Sequence, residues 1–191
     1  MSVDRQPVTL AGFIDWEQRQ PRRYEFRDGL VSAMAGASDD HNQIVANLMA
    51  IIRPALRGGT CRVYANDMML VTDYPGSRYP DLLVTCDARD AQQRLQKRHP
   101  KLIVEVLSEA TAGVDSSDKL DEYQTIAALE EYVLIDSRKP SVRIYRRLLE
   151  TLETGPALVS GALEIVSLGL VVPVSEIYED VDFSRDRSLT P

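Results

Sequence analysis

Several features that would point to common protein classes are scarce or missing in this 191-residue chain. No apolar stretch approaches the roughly 20 residues that a membrane-spanning helix needs, so we expect no membrane association. The two cysteines, Cys61 and Cys86, lie in different strand-like segments. A cytoplasmic protein with free thiols is therefore expected, rather than a disulfide framework or a zinc site. The first residues lack a basic start followed by a long apolar segment, so no signal peptide is expected.

The chain has no excess of positive charge, because 29 acidic residues outnumber 22 lysines and arginines. The formal net charge is −7 and the sequence pI is about 4.9. Phosphate binding depends on lysine and arginine, so this balance counts against a protein that coats nucleic acid without specificity. The chain also lacks a glycine-rich phosphate loop, which ranks a hydrolase of small phosphate esters lowest among the candidate functions. Two local basic clusters remain, and for both of them a solvated surface is the expected role: Arg53, Arg57 and Arg62, and Arg94, Lys97, Arg98, His99 and Lys101.

The length fits one domain over residues 1–191, and 44% hydrophobic residues are enough to fill a core. Helical and strand-like segments alternate, which predicts an α/β or α+β fold with one central sheet. We expect the core to span about residues 20–150, with a hairpin and a short helix within 151–180. The predicted segments are helices at 10–17, 40–56 and 115–129, a hairpin around Asp28-Gly29, a loop at 73–77, and strands at 61–71, 80–86, 101–107, 131–135 and 142–147.

One acidic residue, Glu105, stands in the middle of an apolar run, residues 101–107 (KLIVEVL). The run is short and rich in branched side chains, which is typical of a buried central strand. An ionised carboxylate is costly to bury unless it is paired or bound to a metal. The obvious companion is Asp81, which follows Pro80 at the start of a second apolar strand, residues 80–86 (PDLLVTC). Two acids on neighbouring strands predict a shared cation site if the strand register brings them together.

A lysine, Lys119, lies on the predicted helix that follows the Glu105 strand. Mg²⁺ prefers oxygen ligands and is usually held by one or two carboxylates, with waters and substrate phosphates completing its shell. Asp81 and Glu105 fit that demand, and a backbone carbonyl near Val106 is a further candidate ligand. The ammonium group of Lys119 would polarise a water or stabilise negative charge on a phosphate. The pattern predicts a hydrolytic site that depends on Mg²⁺ or Mn²⁺.

Each of these three residues also has a purely structural interpretation, which the sequence leaves open. Asp81 after Pro80 would then only end a turn, and Glu105 would be a structural acid paired with an arginine. Lys119 would be an exposed helix lysine paired with an acid on the same helix. The strand register decides between these interpretations and a metal site.

Three further residues are auxiliary candidates. Tyr123 lies one turn after Lys119 on the same helix face and would bond Lys119 or a phosphate. His41 lies at the start of the predicted 40–56 helix, where it is either part of the site or a cap or core residue. Glu25 lies between two aromatic residues of a strand and points away from both. It is either an exposed strand acid or a third acid near the metal.

Six short motifs in a fixed order carry a resemblance to a known family. They are YEFRDG (24–29), AGAS with HN (35–38 and 41–42), YPDL (79–82), VEVLS (104–108), DK with Y (118–119 and 123) and EYVLID (131–136). Together they resemble the PD-(D/E)xK nuclease superfamily and, within it, a widespread bacterial family of uncharacterised restriction-endonuclease-like proteins, over about residues 20–180. The resemblance implies an α/β fold with a four-stranded mixed central sheet flanked by helices, and Mg²⁺ held by Asp81 and Glu105.

The chain departs from the superfamily pattern at one position. The superfamily places a lysine two residues after the second acid, where this chain has Leu107. The family that it resembles takes a lysine from the following helix, and that position maps to Lys119. On this resemblance we expect a cytoplasmic endonuclease that depends on Mg²⁺ or Mn²⁺ and cuts DNA, with a homodimer as a possible assembly. The alternative is an inactive nuclease-fold module that binds a partner or nucleic acid, which Leu107 and the acidic net charge favour.

Overall fold

The computed structural model of the chain describes residues 9–34, 36–74, 76–108 and 115–184. Its helices are α1 (Leu10–Glu17), α2 (Asp39–Ala55), α3 (Ala88–Ala91), α4 (Asp115–Gln124) and α5 (Val174–Ile177). Its strands are β1 (Tyr24–Arg27), β2 (Leu30–Ala33), β3 (Arg62–Ala65), β4 (Met69–Thr72), β5 (Gly76–Arg78), β6 (Leu82–Thr85), β7 (Gln96–Lys97), β8 (Pro100–Leu107), β9 (Glu131–Asp136), β10 (Val142–Leu148), β11 (Thr151–Thr154), β12 (Ala162–Ile165) and β13 (Leu170–Pro173). None of the helices in these ranges has the length and apolar character that crossing a bilayer requires.

The central sheet has six strands in the order β11-β10-β9-β8-β6-β3. Strands β8 and β9 run parallel, and the other neighbours are antiparallel. A parallel pair needs a crossover connection, and α4 lies in the segment that joins these two strands. The predicted α/β class with a mixed central sheet flanked by helices is confirmed. The sheet is wider than the four strands that the resemblance implied.

Both faces of the central sheet are covered, which explains why its middle strands are apolar throughout. In β6, Leu82 and Val84 belong to the same buried cluster as the α2 residues Ile44 and Leu48. The intervening Leu83 packs in a second cluster on the other face, with residues of α4 and β9. The hairpin β12–β13 and helix α5 join α2 on the first face. Strand β11, which lies in the segment predicted to form the C-terminal hairpin, pairs with β10 in the central sheet. The assignment of residues 1–191 to a single domain stays a prediction.

Helix α2 begins where its capping residues predicted. The Ser38 side chain accepts a hydrogen bond from the backbone N–H of His41 at 3.3 Å, and Asp39 and Asp40 lie in the first turn. Acidic side chains at this end are favourable because the helix dipole is positive there. The buried stripe includes Ile44, Val45, Leu48 and Ile52, with the spacing of three and four that the sequence indicated.

A second sheet, in the order β2-β1-β5-β4-β7, changes two of the predicted segments. The single strand predicted at 61–71 is wrong, because Asn66 has a φ of 52° and interrupts the extended chain. Strands β3 and β4 on either side of this break join different sheets. The predicted loop at 73–77 is also shorter than expected, since β5 begins at Gly76 and pairs with both β1 and β4.

Helix α4 ends at Gln124, so the predicted extent to Leu129 is wrong. The next residues tighten into turns, in which the N–H of Ile126 donates to the carbonyl of Tyr123 at 3.1 Å. The Arg147 guanidinium donates to the carbonyls of Gln124, Ile126 and Leu129 at 3.0, 2.9 and 2.6 Å. A side chain distant in the sequence therefore supplies the donors for these carbonyl groups.

One member of the second predicted basic cluster is not part of a solvated surface. Lys97 is buried, its ammonium donates to the carbonyls of Asp90 and Gln93, and it lies 4.8 Å from the centre of the Tyr64 ring. The solvated interpretation is wrong for this lysine, whose charge is satisfied inside the fold.

The two cysteines form a disulfide, so the prediction of free thiols is wrong. Arg62 of β3 pairs with Thr85 of β6, which places Cys61 opposite Cys86 just beyond the paired residues. The sequence reveals neither that these two strands are neighbours nor their register. Disulfides form chiefly in oxidising compartments. The argument from free thiols therefore no longer supports a cytoplasmic location, which stays a prediction.

Reducing the Cys61–Cys86 bond is expected to lower the free energy of unfolding by about 3 kcal/mol. The bond joins residues 25 positions apart, and its loss returns conformational freedom to the unfolded chain. Urea unfolding with and without a reductant measures the difference. A variant with both Cys61→Ser and Cys86→Ser should match the reduced protein and ignore the reductant. Equal unfolding midpoints for the oxidised and reduced wild type would contradict the expectation.

Candidate active site

A cleft of about 470 Å³ opens beside the start of β6, the N-terminus of α2 and helix α4. Five of the six site residues predicted from the sequence line this cleft, and the sixth, Tyr123, contacts Glu105 from behind it. The structure thus brings the predicted residues together at one place. The cleft lining includes six acidic or basic side chains: Glu25, His41, Arg78, Asp81, Glu105 and Lys119.

Asp81 reaches the Glu105 strand because of the register between β6 and β8. Leu82 pairs with Val104, so the carboxylate of Asp81 lies beside the next residues of β8. Its Oδ2 accepts a hydrogen bond from the backbone N–H of Val106 at 2.7 Å. Its Oδ1 lies 3.1 Å from Nε2 of His41. Both oxygens are held in place, so Asp81 does more than end a turn.

Glu105 is buried in β8, and its Oε1 accepts two hydrogen bonds. The donors are the Tyr123 hydroxyl at 2.7 Å and the Lys119 ammonium at 3.2 Å. Burial raises the pKa of Glu105 to about 7, and the charges of Asp81 and Glu25 add to the rise, against the opposing effects of Lys119 and Tyr123. Among the contacts of the described residues, the cationic partner of Glu105 is Lys119. The alternative that Glu105 is a structural acid paired with an arginine is therefore wrong.

Lys119 and Tyr123 lie one turn apart on the same face of α4, as their spacing predicted. Both donate to the Glu105 carboxylate, so the hydroxyl of Tyr123 bonds Glu105 where a bond to Lys119 or a phosphate was expected. The Lys119 side chain is 11% exposed, which rules out the exposed helix lysine. The Tyr123 ring is fully buried and packs against the Tyr132 ring with centroids 5.2 Å apart. Burial raises the pKa of Tyr123 well above its usual value, and the neighbouring Glu105 charge raises it further. Tyr123 therefore remains a hydroxyl donor to Glu105.

Glu25 lines the cleft but is held by an arginine that the sequence interpretation missed. Its Oε2 accepts a hydrogen bond from Nη1 of Arg78 at 2.8 Å, and its Oε1 accepts one from the backbone N–H of Tyr79 at 3.4 Å. Glu25 is therefore not an exposed strand acid, since its side chain is 15% exposed. It shares the cleft with Asp81 and Glu105, and its role as a third acid near a metal stays a prediction. The available signal was the position of Arg78, three residues before Asp81.

The sequence interpretation also missed the second partner of Arg78, Glu122 of α4. Its Oε2 accepts from Nε of Arg78 at 2.9 Å, and its Oε1 accepts from the Thr72 hydroxyl at 2.8 Å. Burial alone would lower the pKa of Arg78, but the Glu25 and Glu122 carboxylates raise it far above its usual value. The guanidinium is therefore a permanent charge between two acids. The carboxylate of Glu122 fits here because Gly76 has no side chain to occupy the space.

Replacing Gly76 with alanine is expected to lower the free energy of unfolding by about 2–3 kcal/mol. The added Cβ would lie 2.7 Å from Oε1 of Glu122 and 3.1 Å from the carbonyl oxygen of Phe26. Urea unfolding measures the loss. Gly155→Ala is the matched control, since its Cβ would meet nothing within 4 Å, and it should leave the midpoint nearly unchanged. Equal midpoints for the two variants would contradict the close packing at Gly76.

The donor groups in the cleft suit a hard divalent cation better than zinc. Among the described residues, no group of three or more histidine, cysteine and acidic side chains is placed to hold a metal. The acids in place are Asp81 and Glu105, whose oxygens Mg²⁺ accepts together with waters and substrate phosphates. Two carboxylates beside an open cleft therefore fit Mg²⁺ or Mn²⁺, and their roles as ligands stay a prediction.

Three comparisons with known proteins identify proteins that are similar to this chain. A profile of the Uma2 family, described as "Putative restriction endonuclease", matches residues 10–175. Two uncharacterized proteins of Synechocystis sp. are each 31% identical to this chain. One of them, slr1290, aligns over 90% of this chain and 91% of its own length, and the other, sll1609, over 74% and 81%.

The crystal structure of a "putative nuclease belonging to DUF820" from Anabaena variabilis superposes with a TM-score of 0.73. The alignment covers 90% of this chain and 98% of that protein at 16% sequence identity, so the likeness concerns the fold. The match to the family profile spans every predicted site residue, and the predicted superfamily is confirmed. The chain belongs to the Uma2 family of restriction-endonuclease-like proteins, within the PD-(D/E)xK superfamily.

Proposed function

We propose that this protein is a metal-dependent endonuclease that hydrolyses phosphodiester bonds in DNA. The observation that carries the proposal is the meeting of Asp81, Glu105 and Lys119 in one cleft. Asp81 and Glu105 come from paired strands, and the Lys119 ammonium lies 3.2 Å from Glu105. The Uma2 family is described as "Putative restriction endonuclease", and restriction endonucleases act on DNA, which supports DNA as the substrate.

The charge balance around the cleft also supports a cation site. Four carboxylates belong to the network, those of Glu25, Asp81, Glu105 and Glu122, and they face two cationic side chains, Arg78 and Lys119. With all four acids ionised the network carries two uncompensated negative charges, which is the charge that one divalent cation neutralises. Burial is the main cause of the raised pKa of Glu105, and the negative charges of Asp81 and Glu25 add to the rise.

Each residue has a distinct task in this proposal. Asp81 and Glu105 hold Mg²⁺ or Mn²⁺, and the ion, when bound, supplies Lewis-acid polarisation and a more acidic water. His41 and the N–H of Val106 orient the Asp81 carboxylate, while Tyr123 orients Glu105. Lys119 offers its charge to the phosphate on which negative charge develops.

The position of Lys119 also bears on the alternative of an inactive module. That alternative drew on Leu107, which stands where the superfamily has its lysine. In this chain an ammonium group lies beside Glu105 even so, because α4 supplies Lys119. The residue types required for hydrolysis are therefore present, which supports the enzyme over the module.

Titration of Mn²⁺ into the metal-free protein, together with DNA cleavage assays, tests the proposal. The wild type should bind Mn²⁺, whereas Asp81→Asn should lose most of that affinity. Glu130→Gln is the control, because Glu130 is an exposed acid paired with Lys101 at 2.9 Å. The wild type should also cut plasmid or short single- or double-stranded DNA with Mg²⁺ or Mn²⁺, and cutting should stop with a chelator.

Two results would count against the proposal in different ways. Equal Mn²⁺ binding by the wild type and Asp81→Asn would remove the metal assignment. Metal binding without cleavage of any DNA on a broad panel would favour the inactive module. The homodimer stays a prediction, which sedimentation of the purified protein addresses.

A further inference from the structure

We propose that Arg78 and Glu122 form a clamp that fixes helix α4, so that Lys119 is held against Glu105. In this role both are positioning residues, because they act through Lys119. The catalytic consequence of the clamp rests on the proposed function, whereas the clamp itself is a property of the metal-free fold.

The clamp joins α4 to the second sheet through buried, directional contacts. Arg78 of β5 is 5% exposed and Glu122 of α4 is 3% exposed. Oε2 of Glu122 lies 2.9 Å from Nε and 2.8 Å from Nη2 of Arg78. The third guanidinium nitrogen, Nη1, binds Glu25 in the cleft wall. One guanidinium thus ties α4 and the cleft wall to β5.

The position of Glu122 in α4 connects this contact to the candidate site. Glu122 lies three residues after Lys119 and directly before Tyr123. Lys119 and Tyr123 contact Glu105 of β8. Glu122 instead contacts Arg78 of β5 and Thr72 of β4. Since a helix moves as a rigid unit over one turn, the Glu122 contact restricts where the Lys119 ammonium lies.

The type of contact argues for positioning more than for stability. A buried ion pair is costly to desolvate, and apolar residues of similar volume often stabilise a fold as well or better. The planar fork of arginine instead accepts its partners in a narrow range of geometries. Where a helix has to present a lysine to a carboxylate at one distance, that directional restraint is what the clamp contributes.

The reactivity of Lys119 in the metal-free protein tests the clamp without any assay of cleavage. Reductive methylation followed by mass spectrometry gives the labelling rate of each lysine. Glu122→Gln keeps the shape of the side chain and removes its charge, and it should raise the Lys119 rate roughly tenfold. The rate for the exposed Lys139 is the internal reference and should not change.

A second ion pair on the same helix provides a matched control. Arg27 Nη1 lies 2.5 Å from Oδ2 of Asp118, but the Asp118 side chain is 46% exposed. Asp118→Asn should therefore leave the Lys119 labelling rate unchanged. Should Glu122→Gln fail to fold, Arg78→Lys keeps the positive charge beside Glu122 but loses the two-pronged contact of the guanidinium. Unchanged Lys119 labelling in the folded clamp variants overturns the proposal.

Cleavage kinetics then show whether the clamp acts through Lys119. Glu122→Gln should lower kcat about 100-fold, the scale of loss expected for a group displaced by about 1 Å. In the Lys119→Met background the same substitution should have no further effect. Independent, multiplying losses would overturn the claim of action through Lys119. If the wild type cuts no DNA, the proposed function fails, while the labelling rates still decide the clamp.

Discussion

Glu105→Gln is expected to abolish DNA cleavage and, in the absence of metal, to stabilise the fold. Loss of the carboxylate would remove one of the two proposed metal ligands. A bound ion would supply several kcal/mol of transition-state stabilisation, so activity should fall by about 10³-fold or more. The same substitution removes a charge that is unfavourable in the buried strand. Function and stability therefore oppose each other at this residue.

The stabilisation should depend on pH in a direction that the pKa fixes. The folded state raises the pKa of Glu105 from 4.5 to about 7, so raising the pH from about 4.5 to 7 lowers the stability of the metal-free wild type. Above pH 7 the loss is complete and amounts to about 3–4 kcal/mol, since each pKa unit corresponds to about 1.4 kcal/mol. Glutamine does not ionise, so the variant should gain about that amount at pH 8 and almost nothing at pH 4.

Urea unfolding in the presence of a chelator, at pH 4 and pH 8, measures this difference. The matched control is Glu130→Gln, which changes an exposed acid to the same residue and should show no comparable gain at pH 8. A Glu105→Gln variant that is no more stable than the wild type at pH 8 would contradict this expectation. It would show that the cost of burying the Glu105 charge does not exceed the gain from its ion pair with Lys119.

Lys119→Met is expected to lower kcat by about 10²–10³-fold, the range seen when one group that stabilises transition-state charge is removed. The Lys119 ammonium lies beside Glu105 and borders the cleft, but it is not a metal ligand. Mn²⁺ affinity, measured at pH 8.5, above the wild-type pKa of Glu105 of about 7, should therefore fall little or not at all. The change separates charge stabilisation from metal binding.

Cleavage rates and Mn²⁺ titrations of the same protein samples give the two quantities. Lys101→Met serves as the control, because Lys101 pairs with Glu130 on the surface and contacts no candidate site residue among the described contacts. It should cut DNA at nearly the wild-type rate. Wild-type cleavage by Lys119→Met would show that the lysine has no part in the reaction.

The sequence predicted the two acids because their surroundings make them unfavourable there. Glu105 interrupts an apolar strand, and Asp81 precedes another. Each carboxylate therefore requires a nearby charged partner, hydrogen-bond donor or metal ion. Lys119 and Tyr123 followed from helical spacing and from the resemblance. The positions of these side chains depended on the register of β6 against β8, which no pattern in either strand specifies.

The residues that the sequence did not reveal all act across long separations. Arg78 and Glu122 are 44 positions apart, and each alone resembles an ordinary surface charge. Cys61 and Cys86 looked unrelated until β3 and β6 proved to be neighbours. Asn66 divides one apolar segment between two sheets, and nothing in residues 61–71 indicates that their partners differ. Pairing of distant segments was in every case the missing information.

Strand β6 is four residues long and carries Asp81 at one end and the sulfur bridge just beyond the other. A strand this short has few ladder bonds to oppose slippage. A shift by one position would exchange its side chains between the two buried faces of the sheet and carry Asp81 about 3.3 Å from its place. The covalent link between β3 and β6 makes such a shift of β6 against β3 incompatible with the oxidised fold, so a bond at one end of β6 restrains the position of Asp81 at the other end.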